Sequence, residues 1–323
     1  MKRLLSAEGV SGPHRLDTTK SGPGDKTIRI GWRGLSRHKV PYFFVAPFFI
    51  LYAIFGFYPV LYSLVLSFFE WRGRGQWQFI GLDNFLRLWF NDPVFHTTLV
   101  NMGKYLFAIV PVMTFLGLLF AVLLNTKQAQ ALNSVYRTML ILPYVLAPTV
   151  ISVVFYQIFD PTVGWLNLGF ESFGLPHINW LGDQQWSLIA VSLVLIWQFV
   201  GYNTLIALAA LTGISPEIYD AAKVDGCTPF QEFGLITLPL MRPILLFMAV
   251  MSTIGVFNMF AQPWLLTHGG PGYSSNTLII FLYRSAFEIM QFGYAAAIGI
   301  TIFVLTAIFS FLQIWLNKGF SPE

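Results

Sequence analysis

Charge is what this sequence lacks. Of its 323 residues only 11% are Asp, Glu, Lys or Arg, under half of the roughly 25% that an ordinary globular protein carries. So few charges cannot keep a surface of this size in water. A soluble enzyme, a disordered tail and a nucleic-acid binder are all excluded as the main function. Cysteine is nearly absent as well. The single Cys227 rules out an intrachain disulfide and a thiolate metal cluster. His14, His38, His96, His177 and His268 stand in separate tails and loops with no ligand spacing, so no metal site is expected. No Gly-x-Ser-x-Gly elbow accompanies the serines, and no catalytic set is expected. What the chain has in quantity is apolar side chains: 55% hydrophobic, 32 Phe and a mean hydropathy of +0.63. That composition points to a polytopic membrane protein.

Residues 1–42 hold nine of the 19 Lys plus Arg and contain no apolar run, so they read as a basic tail, not a signal peptide. Between Thr27 and Lys39 apolar and basic residues interleave. That fits a basic segment on the inner leaflet, and fits an unstructured basic arm as well. Ser21-Gly22-Pro23-Gly24-Asp25-Lys26-Thr27 superficially resembles a phosphate-binding loop, but Asp25 stands where the second glycine must be. No nucleotide site is expected in this chain.

Runs long enough to cross ~30 Å of hydrocarbon fall at about 43–69, 102–124, 138–159, 187–211, 244–266 and 292–316. The expectation is an all-α integral membrane protein of six transmembrane helices, with both termini on one side. The loops and tails of that side carry 14 of the 19 Lys plus Arg, which places the termini in the cytoplasm. No Asp or Glu lies within any of the six runs. An intramembrane carboxylate is the usual device of a proton or Na⁺ relay, so a secondary transporter is disfavoured and any energy source lies outside this chain. Prolines occur in the first, second, third and fifth runs, including Pro143, Pro148 and Pro263. They suit either ordinary kinks or gating.

The loop 214–239 is the most patterned stretch outside the runs. Ser215-Pro216-Glu217 is a helix start, with an N-cap residue, a proline at the first helical position and an acid on the dipole. Thr228-Pro229 repeats it, and Gln231 completes a capping box. Gly226 suits a left-handed C-terminal cap. Two short helices at about 216–225 and 229–237 are expected, with Pro239 breaking the second and Pro243 opening the next span. Ala221 and Ala222 leave a flat surface, open to a partner or to packing on the protein itself.

This stretch resembles the coupling loop of bacterial ABC import permeases. Their pattern is E-A-A, a glycine four residues after the second alanine, and I-x-L-P after nine more. Here Asp220-Ala221-Ala222, Gly226, Ile236, Leu238 and Pro239 hold those positions, with Asp225 before the glycine. Asp220 replaces the glutamate, keeping its charge on a side chain one methylene shorter. Gly81-Leu82-Asp83-Asn84-Phe85, Thr267-His268-Gly269-Gly270-Pro271 with Thr277, and Gly293-Tyr294-Ala295-Ala296-Ala297 are similar to the carbohydrate-importing branch. Within that branch the chain resembles the permeases of alginate importers.

The resemblance implies the fold of a type I importer permease, with a transmembrane permease domain over 43–317 in the bacterial inner membrane. It implies a second permease subunit, two copies of an ATPase subunit that bind ATP and Mg²⁺, and a solute-binding protein that delivers carbohydrate. No cofactor is bound by this chain. Coupling to the ATPase then falls to Asp220, Ala221, Ala222, Asp225, Gly226, Phe230 and Phe233. For the sugar path the spans offer Tyr156, Gln157, Trp197, Gln198, Tyr202, Asn203, Asn258 and Gln262. Amides bond hydroxyls and aromatic faces stack on sugar rings; the same residues also serve as interhelical hydrogen bonds and interfacial aromatics.

Overall fold

The computed structural model describes residues 39–125 and 133–318. Residues 1–38 of the basic tail, with the phosphate-loop-like stretch and all of the interleaved segment but Lys39, lie outside them, while 39–42 open the first helix. The chain divides into two units, Met1–Gly56 and Phe57–Glu323. In the first, α1 (Lys39–Tyr52) exposes Phe43, Phe44, Phe48 and Phe49. The second opens with α2 (Tyr58–Leu66), then a hairpin of β1 (Phe69–Glu70) and β2 (Gln78–Phe79), paired Phe69 to Phe79 and Glu70 to Gln78. Helices α3 (Asp83–Leu86) and α4 (Pro93–Leu124) follow. Next come α5 (Asn133–Val145), α6 (Pro148–Ile158), α7 (Trp165–Ser172) and α8 (Ser187–Thr212). The rest is α9 (Pro216–Val224), α10 (Pro229–Glu232), α11 (Leu238–Phe257), α12 (Ala261–Thr267), α13 (Leu278–Tyr283) and α14 (Phe292–Lys318). By length and composition five helical stretches could cross a membrane, and the bent pair α5–α6 would make a sixth.

Three spans differ from the sequence expectation, each for a local reason. The second begins at Pro93, well before residue 102. Asp92 accepts N–H bonds from Val94 (2.9 Å) and Phe95 (3.1 Å), and Pro93 has no N–H to satisfy. The third is two helices, α5 and α6, bent by 96°. Ala147 precedes Pro148, whose ring disfavours helical backbone in its neighbour, and Ala147 is extended (φ −60°, ψ 136°). The fifth stops at Phe257 instead of running to 266. Pro263 cannot donate to the Met259 carbonyl, and the Thr277 hydroxyl donates there instead (3.1 Å). Asn258 turns its amide back onto the Ile254 carbonyl (2.8 Å).

The second unit is organised on α4 packed along α8, with α11 against α4 and α14, and α5 against α8. One buried cluster includes Phe95, Met102, Tyr105, Val191 and Phe257. A second lies toward the other end of α4 and α8, with Leu118, Ala121, Leu208, Leu211, Met241 and Met248. The hairpin crosses the start of α14 so closely that a Cβ on Gly293 would fall inside the Phe69 carbonyl. Gly293→Ala is therefore expected to lower stability by about 1–3 kcal/mol, the usual cost of overpacking. A fall in the thermal midpoint of the purified protein checks it.

Candidate functional site

At one end of the second unit, α9 and α10 form an elbow. Helix α9 ends in paired backbone bonds, from the Gly226 N–H to the Lys223 carbonyl (3.1 Å) and from the Cys227 N–H to the Ala222 carbonyl (2.9 Å). This is the Schellman arrangement, and it needs a left-handed residue between its two bonds. Gly226 supplies it at φ +79°. The next residue but one starts α10. The Thr228 hydroxyl accepts from the Gln231 N–H, and the Gln231 amide oxygen accepts from the Thr228 N–H (2.9 Å), closing the capping box. Ser215 occupies the N-cap of α9 without a side-chain bond, so its expected capping is absent and Pro216 alone marks that start.

Helix α10 does not end at Pro239. It passes through a π-helical turn, Phe233–Thr237, directly into α11. Such a turn shifts the hydrogen-bond register by one residue, which lets a proline follow without breaking the rod. Pro229–Phe257 is one helical stretch of 29 residues, about 40 Å long at 1.5 Å per residue.

The elbow divides its residues between two surfaces. Asp220, Ala221, Asp225 and Phe230 are exposed, with Phe230 at 86%. Asp220 pairs with Lys223 across one turn at 3.1 Å. Ala222 is 6% exposed, and Phe233 is half-buried against the cluster around Leu208 and Met241. The Tyr219 hydroxyl meets that of Thr237 at 3.2 Å, tying α9 to the π-turn.

The far end of the same rod opens on a cavity of about 500 Å³. Two breaks in the helical spans meet there. Tyr144 and Pro148 flank the α5–α6 bend, and residues 258–262 form the gap after α11 and the start of α12. Backbone that is not helical is tolerated at membrane depth only where protein or a cavity satisfies it. Tyr144 stacks on Tyr202 (centroids 4.8 Å, planes 15° apart), and Phe199 meets Tyr144 edge-on.

Four of the eight residues expected along the path line this cavity: Tyr202, Asn203, Asn258 and Gln262. Gln198 is behind them, its amide oxygen accepting from the Gln262 amide across a buried contact. Tyr156, Gln157 and Trp197 are exposed away from the lining, with Trp197 edge-on to Phe155. Tyr144, Phe199, Ser252 and Phe260 line the cavity and were not anticipated. The prolines at 143 and 148 were the available sign for Tyr144, since they mark a bend and a bend exposes its flanks.

The three remaining motifs are scaffold at the end opposite the elbow. Asn84 bonds the carbonyls of Ser67 (2.9 Å) and Phe69 (3.1 Å), pinning the hairpin. Tyr294 donates to Asp92 (2.7 Å) and lies under the Arg87 guanidinium at 4.3 Å. The 267–277 loop is held by Asn101 on the Tyr273 carbonyl (2.6 Å), Tyr105 on the Ser275 carbonyl (3.1 Å) and Asn276 on the Thr98 hydroxyl (2.8 Å). Among the described residues no group of three or more His, Cys, Asp or Glu is placed to hold a metal ion.

The fold and these two regions define a class: a polytopic helical membrane subunit with a capped elbow joined by one rod to a cavity between its spans. The sequence profile of the binding-protein-dependent transport system inner membrane components matches residues 113–322, and the chain belongs to that family. It is 35% identical over 287 residues to the probable ABC transporter permease protein YurN of Bacillus subtilis, covering 88% of this chain and 98% of that protein. It is 37% identical over 280 residues to the lactose transport system permease protein LacF of Rhizobium radiobacter, covering 85% and 93%. A permease chain in the crystal structure of a bacterial alginate ABC transporter with its alginate-bound periplasmic protein superposes with a TM-score of 0.74. That chain is 23% identical, covering 87% of this one and 95% of its own length, and the likeness establishes the fold. The protein is a multi-pass permease subunit of the inner membrane.

Proposed function

We propose that this chain forms one half of the carbohydrate pathway of an ATP-driven importer. Its cavity holds sugar in transit, and its elbow, within the loop 214–239, receives force from an ATPase. A second permease closes the other half of the path. Two copies of an ATPase subunit bind the ATP and Mg²⁺, and this chain itself binds neither. A solute-binding protein delivers the sugar, in keeping with the name of the family. The lactose permease among the relatives supports carbohydrate as the cargo. Both termini and the elbow face the cytoplasm, as the bias of Lys and Arg favours.

One observation carries the coupling part of this reading: the unbroken rod from Pro229 to Phe257. A helix transmits displacement along its length because its backbone hydrogen bonds tie each turn to the next. The ATPase-facing end presents Phe230, Asp220 and Asp225, an apolar anchor flanked by acids, while Phe233 and Ala222 hold the elbow to its own protein. When the ATPases close, the elbow moves and the rod carries that movement to Asn258 at the cavity.

A tagged copy purified from native membranes is expected to bring down a second permease and an ATPase with phosphate-loop and signature motifs. The reconstituted complex should hydrolyse ATP several-fold faster once sugar-loaded binding protein is added. A chain that purifies alone and takes up sugar on a proton or Na⁺ gradient would overturn the reading.

A further inference from the structure

The cavity between the broken spans is notable for its chemistry. No Asp, Glu, Lys, Arg or His is among its lining residues. Its polar groups are the hydroxyls of Tyr144, Tyr202 and Ser252 and the amides of Asn203, Asn258 and Gln262. The cations on the lining helices stand outside the lining. Exposed Lys104 is five residues before Ile109 on α4, Arg137 seven before Tyr144 on α5, and Arg242 nine before Met251 on α11, separations of about 8, 10 and 13 Å along a helix.

The amides are biased as well. Asn258 donates to Ile254, Gln262 to Gln198, and Asn203 to the Phe199 carbonyl at 3.5 Å. Each nitrogen spends one of its two N–H groups inside the protein, and the side-chain oxygens remain to accept. Such a lining welcomes hydroxyl donors. A carboxylate or phosphate only accepts, so it would meet only neutral hydroxyl and amide donors and lose its hydration with no cation in the lining to replace it.

We propose that this subunit's half of the pathway selects uncharged sugars, stacking a sugar ring on the Tyr144–Tyr202 pair, and disfavours uronic acids and sugar phosphates. The inference rests on the carbohydrate reading above, and it is narrower than that reading. Asn258 sets the electrostatics of the wall because it is exposed and lies in the gap after α11, where a longer side chain has room.

The test uses the full permease–ATPase complex without its binding protein, so that only the permeases choose. Equilibrium dialysis is run with neutral oligosaccharides of two to five units and with uronic-acid oligosaccharides of the same lengths. The tightest neutral sugar is expected to bind at least ten-fold better than any uronate. Asn258→Lys is expected to narrow that ratio by ten-fold or more, and added salt should reverse the narrowing. Wild-type binding of a uronate within ten-fold of the best neutral sugar overturns the inference and leaves the carbohydrate reading intact. An unchanged ratio in a folded Asn258→Lys complex overturns the role given to this wall. A complex that hydrolyses ATP yet neither binds nor takes up any of the sugars overturns the carbohydrate reading, and the inference with it.

Discussion

Gly226→Pro is expected to cut sugar-stimulated ATP hydrolysis and uptake by at least ten-fold while the protein still folds and inserts. Gly226 stands at φ +79°, and proline is fixed near −65°. Proline also removes the N–H that bonds Lys223 at 3.1 Å. It further drives Asp225, now helix-like at φ −74° and ψ 0°, toward extended backbone. The two bonds that end α9 therefore fail together, and α9 loses its angle to α10. Nothing lies within 4 Å of where a side chain at 226 would begin, so the damage stays in the elbow. Gly226→Ala separates geometry from bulk. It keeps the N–H and meets no neighbour, at a cost of about 1–2 kcal/mol for left-handed backbone, and should leave partial stimulation. The measurements are ATPase rate with loaded binding protein, transport in proteoliposomes and thermal midpoint in detergent. Full stimulation in the proline variant would sink the coupling role of the elbow.

How much of this was legible in the sequence follows from how local each feature is. The capping box at Thr228 and the turn at Gly226 were readable because each is decided within four residues. Six apolar stretches were readable because hydropathy survives any packing. The breaks were harder. Pro148 and Pro239 look alike in sequence, each in a run of apolar residues, yet one ends a helix and the other does not. Before Pro148 the extended Ala147 gives up the register altogether. Before Pro239 a π-turn shifts the register and keeps the rod. The stop at Asn258 depends on a hydroxyl 18 residues later, Thr277 on Met259, which no local pattern contains. The cavity shared that fate: Asn203 and Gln262 were identified as polar groups in apolar runs, but Tyr144 became a wall residue only through the bend beside it.

The second large effect concerns that wall. Helix α5 lies so close on α8 that a Cβ at Gly201 would penetrate the Leu140 carbonyl. Backbone cannot rotate aside as a side chain can, so Gly201→Ala must push α5 off α8 or strain one of them. Tyr144 is one helical turn beyond Leu140, and its stack on Tyr202 at 4.8 Å joins the same two helices. The substitution is expected to cost about 1–3 kcal/mol as overpacking and to weaken sugar binding by ten-fold or more as the tyrosine pair separates. Tyr144→Ala isolates the second effect, because it removes the stack and leaves the helix contact in place. Binding lost in both variants, with the thermal midpoint falling mainly in Gly201→Ala, would assign the stack to sugar recognition and the glycine to holding it. Normal binding in Gly201→Ala with an unchanged midpoint would mean that α5 does not press on α8 at this point, and that the cavity wall is set elsewhere.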